Sequence, residues 1–365
     1  MKVNLPIEEG YFNIVPNKFC GLDCYLITPE RDAKWNSSNL FYRSLITDNQ
    51  ANVLSSGWPK FFNYGEKPDC YPNAEHFSDW KYEEKKDGSL VICDYVNGQF
   101  SMRTRGTVSY TTLANAKDFE ILPEKYPNVV EFLKQNSHLT ILFEIVTPNN
   151  VIVIRPKEVE FYLLGAINKD DLTVVPSPEL TEIWRKIGTV PTPKTYNFND
   201  ARDLSKIYEH IQKWKGEEGV VISYNNGQNR IKLKSDWYRL VHTVKSELNS
   251  TKNLIELYID KEMPAHQEFY KTIETEFDYE IAVQLKSEIE KICEAGEKAR
   301  KYIDHILEVV HDIRMVETRK EQALMIKKNF KENSALVFCV LDNKEITKEQ
   351  WAKLINQNYE SQRAN

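Results

Sequence analysis

Lys85-Lys86-Asp87-Gly88-Ser89-Leu90-Val91-Ile92-Cys93-Asp94-Tyr95 is a charged turn that runs directly into an apolar, β-rich segment. Ser89 to Tyr95 reads as a strand, Asn97-Gly98 is a strong hairpin turn, and Gln99 to Thr104 continues as the return strand. Gly88 permits a tight turn that presents a lysine at the strand's edge. On its own a Lys-Lys-Asp-Gly turn is ordinarily a solvated hairpin. Its weight depends on what else the chain carries.

Outward from this hairpin, residues from about 10 to 235 read as α+β with much strand. Leu139 to Val146, Val151 to Ile154 and Val159 to Ile167 form three further strands. Val220 to Tyr224, the polar turn Asn225-Asn226-Gly227, and Arg230 to Lys234 make a second hairpin. Helical segments lie near Pro127 to Asn136 and Asp200 to Lys215. After about Ser235 the pattern changes. Asp278 to Val310 places apolar residues at three- and four-residue spacing among Glu and Lys, and Pro264 is the only proline beyond Pro193. The expected organisation is an α+β domain over residues 1–244 followed by a mainly helical domain over 245–365.

The 365 residues suit two domains, and 41% hydrophobic with 12% aromatic content is enough for a packed core, which excludes global disorder. No run approaches the roughly 20 apolar residues of a membrane span. Met1-Lys2-Val3-Asn4-Leu5-Pro6 lacks the apolar core of a signal peptide. The sequence therefore predicts a soluble, cytoplasmic protein with no membrane partner. Cys20, Cys24, Cys70, Cys93, Cys293 and Cys339 are scattered without a second pair at zinc spacing, as free thiols in a reducing compartment would be. His138 and His242 belong to no motif and read as structural. A net charge of −6 means that any nucleic-acid site must gather its basic residues into a groove.

Three downstream elements give the Lys85 turn its meaning. Phe143-Glu144 puts a carboxylate inside an apolar strand, where it is costly unless paired or bound. Glu218-Gly219-Val220-Val221 opens another strand with an acid and a glycine. Lys232-Leu233-Lys234 points two lysines to one face of a strand. A lone Glu or K-x-K is usually a rim feature; the four elements in this order are not.

The set is similar to the K-x-D-G pattern of the covalent nucleotidyltransferases, the superfamily of DNA ligases, RNA ligases and mRNA capping enzymes. More narrowly, the chain resembles the bacteriophage RNA ligases of the tRNA-repair type, represented by the first RNA ligase of the T-even phages. The matching signatures run from about Tyr25 to Leu248. They include Arg43 in Tyr42-Arg43-Ser44-Leu45, Lys60-Phe61-Phe62-Asn63, Lys85 to Val91, Arg103-Thr104-Arg105-Gly106, Phe143-Glu144, Glu218-Gly219, and Lys232 to Tyr238. Ser44 replaces a frequent Gly and Arg105 a familiar Lys. Beyond Leu248 only helical character and length are shared.

The resemblance implies an antiparallel-sheet nucleotidyltransferase domain, ATP-grasp-like, ahead of the helical one. It implies an ATP-dependent RNA ligase that joins 5′-phosphate to 3′-hydroxyl ends through a lysine–AMP intermediate. Lys85, not Lys86, would be the nucleophile, because one residue must separate it from Asp87-Gly88. Cationic neighbours and a metal would lower its pKa from the usual value near 10.4. Glu144 would bind the ribose. Glu218 would position Mg²⁺ (or Mn²⁺) through water, since Mg²⁺ releases its waters reluctantly. Lys232 and Lys234 would hold the triphosphate, Arg43 and Lys60 would contact nucleotide phosphates, and Phe62 and Tyr25 would lie near the nucleotide. Arg103, Arg105 and Tyr238 are weaker candidates for the nucleotide or RNA path. Expected partners are single-stranded RNA or broken tRNA ends and a separate polynucleotide kinase/phosphatase, since no G-x-x-x-x-G-K-[ST] loop occurs. A phage-encoded protein of this kind would work in the host cytoplasm. A DNA ligase or GTP-using capping enzyme would have a small OB barrel after the motif at Lys232. An inactive, RNA-binding relative would have lost charged motif residues.

Overall fold

Alternation of buried and exposed side chains builds three sheets in a computed structural model that describes residues 11–67, 79–198, 203–248, 250–277 and 279–363. The N-terminal stretch, Cys70 and the start of the expected Asp200 helix lie outside the described residues. Contacts divide the chain into two units, Met1–Arg239 and Leu240–Asn365.

In the first unit, β1 (Phe12–Phe19), β2 (Leu22–Pro29), β3 (Leu45–Asp48) and β4 (Val53–Ser56) form an antiparallel sheet in that order. A second sheet has the order β11 (Thr173–Val174), β10 (Glu160–Asn168), β9 (Leu139–Val146), β7 (Ser89–Val96), β8 (Gln99–Arg103). The third runs β12 (Thr195–Tyr196), β6 (Lys81–Glu84), β13 (Gly219–Tyr224), β14 (Asn229–Lys234), β5 (Phe62–Asn63), with β14 and β5 parallel. Both expected hairpins form. Asn97 and Gly98 take φ of 49° and 75°, the signature of a two-residue turn that follows the twist of its strands.

Strand periodicity decides what faces the site. Ile141, Phe143 and Ile145 of β9 pack with Phe119 and Leu122 of α1 (Ala116–Lys125), Val129 and Leu133 of α2 (Asn128–Gln135), and Ile183 of α3 (Ser177–Lys186). Each such burial stabilises by about 1.5–3 kcal/mol. Leu142 points the other way, into a core with Ile27, Leu45, Trp58 and Ile92, and Glu144 shares its face. In the third sheet Val220, Ile222 and Leu233 pack against Ile207 and Ile211 of α4 (Leu204–Gln212), which leaves Lys232 and Lys234 on the opposite face.

The expected strand over Val151 to Ile154 does not form. The Val153 and Ile154 N–H groups donate to Asp87 instead of to a neighbouring strand. From Asp236 onward every described element is a helix: α5 (Asp236–Leu248), α6 (Thr251–Asp260), α7 (His266–Glu276), α8 (Tyr279–Arg314), α9 (Arg319–Asn329), α10 (Ser334–Leu341) and α11 (Lys348–Arg363). The 36-residue α8 is the spine of the second unit. At Gly296 a Cβ would lie 2.5 Å from the Tyr258 ring, so the glycine admits close packing of α6. No helix among the described residues is long and apolar enough to cross a membrane.

Candidate active site

Lys85 occupies the turn between β6 and β7, and its N–H donates to the Gly219 carbonyl at 2.9 Å. A Cβ on Gly88 would lie 2.2 Å from the Ile145 carbonyl oxygen. The glycine is thus required because the turn presses onto β9 beside Glu144, and its φ is not in the left-handed region. Asp87 fixes the turn from below. One of its carboxylate oxygens accepts from Val153 and Ile154 at 2.7 and 2.6 Å, and the other from the Tyr238 hydroxyl at 2.6 Å. Tyr238 is 3% exposed and braces this turn; it does not line an open path for nucleotide or RNA.

Glu218 precedes β13, and strict alternation would aim it at α4. Gly219 breaks the alternation with a φ of +140°, and a Cβ there would sit 2.0 Å from the Leu233 carbonyl oxygen. The result is a buried carboxylate whose Oε1 lies 2.9 Å from the Lys85 ammonium and 2.9 Å from that of Lys234. Burial pulls the Lys85 pKa down, but Glu218, Glu144 and Asp87 together outweigh it and hold the pKa above the usual lysine value. The expected lowering of Lys85 rested on cationic neighbours and a metal; the protein's own charges nearest to it are carboxylates, which act the other way.

The depressed lysine is Lys232. Burial, then Arg43, Lys60, Lys85 and Lys234, bring it down to about 7. Lys60 is lowered by burial, Arg43 and Arg105, against Glu66. Arg43 falls to about 10 through burial and Arg105, opposed by Glu144. This crowd of cations needs an anion. Glu144 is held up at about 7, mainly by burial, and makes no hydrogen bond or ion pair among the described residues.

Phe61 and Phe62 both face cations, and the Lys60 ammonium lies 5.1 Å from the Phe62 ring. The Arg43 guanidinium and the Lys232 ammonium lie 5.5 and 5.2 Å from the Phe61 ring. Phe62, the first residue of β5, is 2% exposed. Arg103 is also not on a path. Fully buried, it donates to Ser55 Oγ and Ser44 Oγ at 2.7 Å each, and Ser44 Oγ donates to the Arg105 carbonyl at 2.8 Å. It thereby holds the backbone on which Arg43 and Arg105 stand. Arg105 is exposed and close enough to act on Arg43 and Lys60. Tyr25 lies on β2, in a different sheet, and its side chain makes no hydrogen bond to the cluster among the described residues.

A cavity of about 320 Å³ opens beside Lys85, lined by Tyr162, Val146, Ile154, Lys86, Glu217 and Glu218 among others. Lys86 turns away from Glu218: it pairs with Glu84 at 2.9 Å and lies 4.1 Å from the centre of the Tyr162 ring. The sequence profile of one protein family, described as RNA ligase, matches residues 42–238, more than half of the chain.

The chain belongs to the RNA ligase family.

Within that family's reach, a protein of Autographa californica nuclear polyhedrosis virus, provisionally named a bifunctional polynucleotide kinase/RNA ligase, is 25% identical over 253 residues. The match covers 62% of this chain and 34% of that protein, so the chain spans about a third of the relative's length. An archaeal ATP-dependent RNA ligase structure is 16% identical, with a TM-score of 0.46 over 73% of each chain. A Naegleria gruberi RNA ligase variant with ATP and Mn is 16% identical, with a TM-score of 0.38, over 45% of this chain and 51% of that one.

In this RNA ligase family member the structure brings together Lys85, Glu144, Glu218, Lys232, Lys234, Arg43, Lys60 and Arg105, sets Phe62 against Lys60 and Tyr238 against Lys234, and buries Arg103 with Ser44 and Ser55. Sequence reading missed Phe61 and Tyr162. Tyr162 sits opposite Glu144 in the β9–β10 register, a pairing interrupted two residues on by a shift between Leu163 and Gly165. Its only signal was the aromatic residue in the Val159–Ile167 strand.

Proposed function

We propose that this chain is an ATP-dependent RNA ligase in which Lys85 becomes covalently adenylated. The neutral Lys85 amine attacks the α-phosphorus of ATP, a P–N bond forms, and the P–O bond to pyrophosphate breaks. The AMP passes to an RNA 5′-phosphate, and a 3′-hydroxyl then displaces AMP to make the phosphodiester. The observation that carries this reading is Glu218 Oε1 shared by Lys85 and Lys234 at 2.9 Å each. The carboxylate keeps Lys85 charged and inert, and its withdrawal would leave burial dominant, favouring the reactive neutral amine.

Lys232, Lys234, Arg43 and Lys60 would bind the triphosphate and the charge that builds on pyrophosphate. Glu144 would accept from the ribose hydroxyls, which supply the hydrogen bonds it lacks here. The base would enter the cavity against Tyr162, displacing Lys86. A divalent ion, Mg²⁺ or Mn²⁺, fits Glu218 as a water-mediated ligand. Both Asp87 oxygens already accept hydrogen bonds, and no group of three acidic, His or Cys side chains that could hold a metal converges among the described residues. The ion would add positive charge beside the phosphates.

The substrate we infer is single-stranded RNA or a tRNA broken in its anticodon loop, in a viral repair setting in the host cytoplasm, phage-like in its sequence signatures. A kinase/phosphatase would prepare the ends. The baculovirus relative, named for both kinase and ligase, supports that coupling. The test is joining itself. A 5′-phosphate, 3′-hydroxyl RNA incubated with the protein, ATP and Mg²⁺ should be circularised or joined with release of one AMP per bond. Sealing of nicked duplex DNA at the same rate would favour a DNA ligase instead.

A further inference from the structure

Arg230 lies on the same face of β14 as Lys232 and Lys234, so it sits about 7 Å beyond Lys232 along the strand. Its guanidinium carbon is 3.6 Å from the centre of the Trp58 ring, and its Nη1 donates to the Gly227 carbonyl at 2.6 Å. Trp58 is itself locked. It is 4% exposed and packs so closely on Gly165 that a Cβ there would lie 2.5 Å from the indole. The arginine is therefore held as a flat, oriented fork, the form in which it recognises phosphate.

No carboxylate pairs with Arg230 among the described residues. Glu83, the acid that acts on it at a distance, is engaged by Lys81 at 2.7 Å. Beside Arg230 is a second cavity, about 100 Å³, lined with Lys60, Phe61, Gln228 and Asn229 among others, and no lining residue is acidic. Phe61, which lines it, also lies 5.5 Å from the Arg43 guanidinium and 5.2 Å from the Lys232 ammonium. The volume is well below the roughly 300 Å³ of ordinary ligand pockets, too small for a nucleoside but adequate for one phosphate group.

We propose that Arg230 on its Trp58 platform, with Lys60, forms a phosphate subsite beyond Lys232. The inference rests on the ligase reading. The phosphate is either the far end of the ATP triphosphate or a backbone phosphate of the RNA. Two assays on the full chain distinguish these sources: KM for ATP in self-adenylation, and KM for a pre-adenylated RNA in sealing to a 3′-hydroxyl end.

Arg230→Gln should raise one of the two by about tenfold or more, the scale of a lost charge-assisted contact. A rise for ATP alone assigns the triphosphate. A rise for RNA alone, with a salt slope reduced by about 0.7, assigns a backbone contact. Arg230→Lys keeps the charge and should recover part of the loss; this separates phosphate binding from packing on Trp58, even where the Gln variant melts early. Unchanged KM values in both assays, or equal losses in the Lys and Gln variants, would overturn the subsite. Absence of any adduct in the unsubstituted protein would instead defeat the ligase reading itself.

Discussion

Lys85 Nζ lies 2.9 Å from Glu218 Oε1, and among the carboxylates around it Glu218 favours the charged amine most strongly. Two influences oppose each other on Lys85: burial lowers its pKa, while Glu218, Glu144 and Asp87 raise it to a net value above the ordinary one.

Glu218→Gln removes the largest upward influence and leaves burial in place. The Lys85 pKa should fall, and its labelling by an acylating reagent at pH 8, followed by mass spectrometry, should rise several-fold. Unchanged or slower labelling would mean that Glu218 does not hold the proton on Lys85.

Gly88→Ala forces a methyl group to 2.2 Å from the Ile145 carbonyl oxygen, where only backbone movement can relieve it. Overpacking of this kind should cost about 3 kcal/mol and displace Lys85 from Glu218. Denaturant melting and adduct yield should decline together. A variant of full stability would show that the turn does not press on β9 as described.

Glu144 titrates near 7 in the folded chain against 4.5 in its ordinary state. A raised carboxyl pKa contributes stability that is fully present below the unfolded value and is lost as pH rises through the folded one. Glu144→Gln does not ionise, so it should match the parent protein near pH 4 and melt higher than it above pH 7. Tm measured across pH 4–8 checks this. A constant difference across that range would mean Glu144 is already partnered.

The charged motif residues were legible because charge at a strand edge stands out against an apolar background: Glu144 within Leu139–Val146, and Lys232 and Lys234 about Leu233. Less was legible where distant partners decide. The surroundings of Phe61 and Phe62 could not be read from the sequence, because Phe61 lies just before a strand of only two residues, Phe62–Asn63, that pairs in parallel with the distant β14. Arg103 read as a candidate for the nucleotide or RNA path. Its partners Ser44 and Ser55 come from elsewhere in the chain and neutralise the cost of burial only once the sheets assemble. β1 went unseen because five of its eight residues are exposed and it contains Pro16. α1 carries Pro123 inside the helix, which masks its periodicity.

The most direct test of the account is the position of AMP after incubation with ATP and Mg²⁺. Lys85 and Lys86 are adjacent in sequence but diverge in space, Lys85 toward Glu218 and Lys86 toward Glu84 and Tyr162. Peptide mass mapping should find one AMP per chain, on Lys85, and none in Lys85→Ala. AMP on Lys86, or an adduct that persists in Lys85→Ala, would contradict the account.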